Sequence, residues 1–76
     1  MTNILDHILE KMYDDPKKPF SIAVFVWGEY DMAGDDTYQL TKKLEQLEFI
    51  DLYPLNNADH LITETGKKVV EAGGIE

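Results

Sequence analysis

Phe20-Ser21-Ile22-Ala23-Val24-Phe25-Val26-Trp27-Gly28-Glu29-Tyr30 is the stretch on which the fold turns. Its β-branched and aromatic residues favour a strand by intrinsic propensity. Ser21, however, is a good helix N-cap, and apolar residues fill almost every position, so periodicity cannot separate a buried helix from a buried strand. Taken alone the segment reads as a buried strand, and its context has to decide.

The flanks are more explicit. Upstream, Ile4, Leu5, Ile8, Leu9 and Met12 recur at helical spacing, with Asn3 placed as an N-cap and Asp6 in the first turn. Asp14-Asp15-Pro16-Lys17-Lys18-Pro19 ends that helix, because a residue before proline is pushed out of the α region and proline cannot continue the ladder. Downstream, Asp31-Met32-Ala33-Gly34-Asp35 reads as a loop. Asp36 and Gln39 then have capping-box spacing, and Leu40, Leu44 and Leu47 form the apolar stripe of a further helix. Ile50-Asp51-Leu52-Tyr53 alternates like a strand, Asn56-Asn57-Ala58-Asp59 carries turn chemistry, and His60-Leu61-Ile62 returns antiparallel. Thr63 is placed to cap a last helix holding Val69 and Val70. Gly73-Gly74 supplies its stop, with Ile75 available to fold back.

The order helix, turn, ambiguous segment, loop, helix, hairpin, helix resembles the winged-helix (winged helix-turn-helix) family. Lys43-Leu44-Glu45-Gln46-Leu47-Glu48-Phe49-Ile50 is similar to that family's recognition-helix exit, and Leu61-Ile62-Thr63-Glu64-Thr65-Gly66-Lys67-Lys68 to the segment that ends its wing and opens a final helix. The resemblance runs from about Ile4 to Gly73. It implies a mainly α domain with a small two-stranded antiparallel hairpin, and it makes residues 21 to 30 the second helix. Glu48 departs from the pattern, standing where such domains usually place glycine for a left-handed exit turn. The expected core is Ile8, Leu9, Leu40, Leu44, Leu47, Ile50, Leu52, Ile62 and Val69.

Seventy-six residues, 43% of them hydrophobic, fit one domain over 1–76. The absence of cysteine, of a signal-like amino terminus and of any apolar run near the roughly 20 residues that span a bilayer points to a cytoplasmic chain without a membrane partner. Fifteen acidic residues oppose seven lysines and no arginine, for a net charge of −8. That balance disfavours polyanions.

Catalytic chemistry has little to work with. One serine, no cysteine and two histidines offer no nucleophile with a base, so no enzyme activity is expected. His7 with Asp6 and Glu10 lacks ligand spacing, Asp31, Asp35 and Asp36 fail the calcium-loop pattern, and no glycine-rich loop cradles phosphate; neither a metal nor a cofactor is expected.

Two binding readings remain. In the first, the resemblance implies a DNA-binding regulator whose third helix enters the major groove through Tyr38, Gln39, Thr41, Lys42 and Lys43, with Asn56, Asn57 and His60 on the wing. The second, favoured by the acidic charge, is a non-enzymatic module that binds a protein partner or itself as a homodimer. Its apolar surface would be drawn from Phe25, Trp27, Tyr30 and Tyr53, although in so small a domain most aromatic rings are expected in the core.

Overall fold

The computed structural model describes residues 4–55 and 58–74. The proposed cap Asn3 and the fold-back of Ile75 lie outside them. Four helices and one hairpin run in the order α1 (Ile4–Asp14), α2 (Ile22–Tyr30), α3 (Asp35–Gln46), β1 (Ile50–Leu52), β2 (His60–Ile62) and α4 (Glu64–Glu71). The chain is thus mainly α with a two-stranded antiparallel hairpin, a winged-helix-like layout. The ambiguous segment is helical. Ser21 caps it, its Oγ accepting from the Val24 amide at 3.3 Å. Tertiary burial of Ile22 and Val26 outweighs the strand propensity of the segment.

α1 stops where the proline pair begins, and a turn follows in which the Lys18 amide donates to the Asp15 carbonyl at 3.1 Å. Phe20 then exchanges two backbone hydrogen bonds with His60, at 2.9 and 3.0 Å, tying the connector to β2. In the hairpin Ile50 pairs with Ile62, Asp51 with Leu61 and Leu52 with His60. α1 packs on α4 and β2, and α2 packs on α3.

The core consists of Ile8, Leu9, Met12, Ile22, Val26, Leu44, Ile50 and Ile62. Leu40 and Val69 contribute from its edge. Two expected members do not belong. Leu47 is 40% exposed because α3 ends at Gln46 and Phe49 turns inward instead; Leu52, the last residue of β1, is 46% exposed although its partner His60 is buried. No aromatic residue is fully buried among the described residues, since aliphatic side chains fill the centre, and Trp27, Tyr30 and Tyr38 stand exposed rather than in the core.

The start of α3 also differs from the sequence reading. Gly34, at φ 67° and ψ −133°, takes the N-cap position without any side-chain cap, so Asp35 and Asp36 both lie in the first turn. There they oppose the positive end of the helix dipole rather than capping it. Gly34 adopts a backbone conformation that residues with a Cβ rarely reach.

The exits of α3 and α4 share one geometry. The Glu48 amide donates to the Glu45 carbonyl (3.0 Å) and Phe49 to Leu44 (3.1 Å), as Gly73 does to Val70 (3.0 Å) and Gly74 to Val69 (2.9 Å). This is the Schellman arrangement, which requires a left-handed residue after the helix. α4 uses Gly73 at φ 100°; α3 uses Glu48 at φ 63°. The Glu48 side chain is exposed, and the contacts that fix the turn are made by its backbone, whose carbonyl also accepts from Thr63 Oγ1 at 2.6 Å. Glu48→Gly should therefore leave stability unchanged or raise it by up to about 1 kcal/mol, the relief of strain being partly offset by a looser unfolded chain. Urea denaturation checks this; a clear loss of stability would show that the Glu48 side chain matters.

Candidate interaction surface

α2 carries apolar residues on every side, with Glu29 in its last turn as its one charged residue. A helix of nine residues on a domain of this size can bury only one side, and that side is Ile22 and Val26. Phe25 is half-buried among rings, 5.0 Å from His7, 5.6 Å from Phe20 and 6.3 Å from Tyr30 between centroids. The opposite side leaves Val24 67% and Trp27 64% exposed, beside Ala23 and Gly28. A soluble helix normally turns polar residues to that side.

The exposed side forms one wall of an open groove of about 460 Å³. Ala23, Val24 and Trp27 come from α2, Met32, Ala33 and Gly34 from the following loop, and Thr37 and Tyr38 from the first turns of α3. Thr37 is buried, and its Oγ1 has no hydrogen-bond partner among the described residues. Val24 also lines a second groove of about 490 Å³ with Phe20, Phe25, Lys11, Asp15 and Lys18. One apolar strip thus crosses the outer side of α2 from end to end.

The residues singled out from sequence divide into groups. Tyr38, Gln39, Lys42 and Lys43 are exposed on α3, with Lys42 Nζ 5.6 Å from the Tyr38 ring centroid, a cation–π pairing one helical turn apart. Thr41 is half-buried and spends its hydroxyl on the Thr37 carbonyl at 3.0 Å. Asn56 and Asn57 lie outside the described residues. His60 is not presented on the wing: it is buried between β1 and Phe20, its Nε2 3.2 Å from Glu45 Oε2 and its Nδ1 without a partner among the described residues. Its backbone is paired with Leu52 on one side and Phe20 on the other.

Of the aromatic set, Trp27 belongs to the groove. Tyr30 directs its hydroxyl to His7 Nδ1 at 2.6 Å, and Tyr53 sits half-buried at the base of the wing. Val24, Met32, Ala33 and Thr37 were not singled out from sequence. The available signal was the uniform apolarity of residues 22 to 27, more than one helix face can bury.

Among the described residues no three His, Asp or Glu side chains converge on a point that could hold a metal, and no helix is long and apolar enough to cross a membrane. Comparison of the chain with protein-family models, with curated proteins and with solved structures returned no match.

Proposed function

We propose that this chain is a non-enzymatic interaction module of winged-helix type that binds protein surface through the α2–α3 groove. The observation that carries this reading is the exposure of Val24 and Trp27 on the side of α2 turned away from Ile22 and Val26. Exposed apolar surface gathered into a groove is what a partner's side chains fill, and large aromatic rings contribute much of the binding energy at such sites.

DNA recognition has the weaker support. Between residues 31 and 62, which hold α3 and the hairpin, acidic residues outnumber basic ones by five. Duplex affinity at physiological salt rests on cations that displace condensed counterions, and Lys42 and Lys43 are the two available on α3. His60, one of the wing contacts such a mode would use, is buried.

Two measurements test the reading together. Anisotropy with a mixed duplex pool should give no submicromolar binding at physiological salt, and the Lys42→Glu/Lys43→Glu variant should behave like the parent. Selection of helical peptides from a display library on the folded domain should return binders that lose affinity for Val24→Asp. Submicromolar duplex binding abolished by the double lysine variant would make DNA the partner; peptides indifferent to Val24→Asp would remove the groove.

A further inference from the structure

Resting on the reading of the α2–α3 groove as a protein-binding surface, we infer that its occupant is a second copy of this chain, docked with the two α2 helices antiparallel. The charges at the ends of α2 point to this. Helix dipoles favour acids at the N-terminus and bases at the C-terminus. α2 has neither, and its neighbourhood has the reverse. Lys11, Lys17 and Lys18 gather before its N-terminus and outnumber Asp14 and Asp15 there by one, with Lys11, Asp15 and Lys18 lining the groove. At the other end stand Glu29 in the last turn, Asp31 at the cap, and Asp35 and Asp36 just beyond, all exposed.

Each end therefore lacks what the opposite end of an identical helix would bring. An antiparallel copy sets the lysine end of one α2 against the acidic end of the other, twice, and opposes the two dipoles favourably. A parallel pair would place lysine on lysine and acid on acid. The net charge of −8 on each chain resists association, but beyond a Debye length of about 8 Å at physiological ionic strength that repulsion is screened, leaving the charges at the helix ends to set the orientation.

The apolar strip suits a two-fold contact. Ala23, Val24, Trp27 and Gly28 share one face of α2 at helical spacing, and Val24 belongs to both grooves. In an isologous antiparallel pair, Trp27 of each copy meets Val24 of the other. Gly28 weakens the helix, yet a Cβ there would meet nothing within 4 Å inside the chain. Its missing side chain is explained by the close approach of a second helix.

Charge exchange on the intact chain tests the orientation. Sedimentation velocity should show a reversible dimer of the wild type at micromolar concentration. Val24→Asp, at an exposed position that the fold does not need, should weaken it by about tenfold or more. Lys17→Glu/Lys18→Glu and Glu29→Lys/Asp31→Lys should each be monomeric alone, with circular dichroism matching the wild type, and should form a heterodimer when mixed. A wild type that stays monomeric throughout overturns the inference, and so does a dimer indifferent to the charge reversals. If the wild type is monomeric while selected peptides still require Val24, the groove keeps its function and only the second copy falls. If the charge-reversed chains misfold alone, nuclear magnetic resonance shift mapping of the wild type on dilution decides: changes centred on Ala23, Val24, Trp27 and Gly28 support the dimer, and their absence refutes it.

Discussion

Gly66→Ala is expected to remove about 3 kcal/mol or more of stability and to lower the Tm by roughly 15 °C. A Cβ at this position would run into the Phe49 carbonyl oxygen and lie 2.8 Å from Ile62 Cγ1. The carbonyl cannot readily retreat, because it accepts the Thr63 amide at 3.0 Å while the Phe49 amide is held by Leu44. Thr63 adds a third tie, its Oγ1 accepting from the Gly66 amide at 3.0 Å and donating to the Glu48 carbonyl. The α3 exit, β2 and the first turn of α4 thus meet at one backbone contact. The better helix propensity of alanine returns only about 1 kcal/mol. For a chain whose whole stability is on the order of 4 to 11 kcal/mol, the loss is large. Thermal and urea denaturation measure it; a Tm change of under about 5 °C would show that the junction opens without strain.

Leu44→Ala is the second large effect, at about 3 kcal/mol. Leu44 is completely buried, the one fully buried apolar side chain on α3, where Thr37 is its only buried companion. The void would sit under the helix that carries Thr37 and Tyr38, so amide exchange in α3 should accelerate and the groove wall should loosen with it. Leu47→Ala provides the contrast. It belongs to the same leucine stripe but lies past the end of α3, 40% exposed, and should cost no more than about 1 kcal/mol. Equal losses at the two positions would mean that the stripe continues to Leu47 in solution.

Much of the backbone path was legible because its signals are local. Pro16 and Pro19 end α1 whatever surrounds them, Ser21 and Thr63 cap α2 and α4 through bonds to amides three residues on, and Gly73 opens a left-handed exit. The positive φ of Glu48 was legible only through the resemblance, which places a left-handed exit where it stands. The cap of α3 was misread for a related reason: Asp36 and Gln39 have the right spacing, but Gly34 takes the left-handed entry first and puts both aspartates inside the helix.

Burial was legible only where the pattern alternated. Ile8, Leu9, Leu44, Ile50 and Ile62 fall where periodicity places them. α2 carries no such pattern, so propensity favoured a strand, the helix came from the resemblance of the whole element order, and nothing local marked Val24 and Trp27 as outward-facing. The sequence by itself determined the end of α1, the capping of α4, the acidic charge and the excess of apolar side chains on residues 22 to 27. Only the tertiary structure decided which of those side chains are covered, that His60 is drawn inside by Phe20 and Glu45, and that Leu47 and Leu52 are left out. The reason is physical: a cap or a turn is fixed by bonds to residues a few positions away, whereas burial depends on what distant segments bring to the same place.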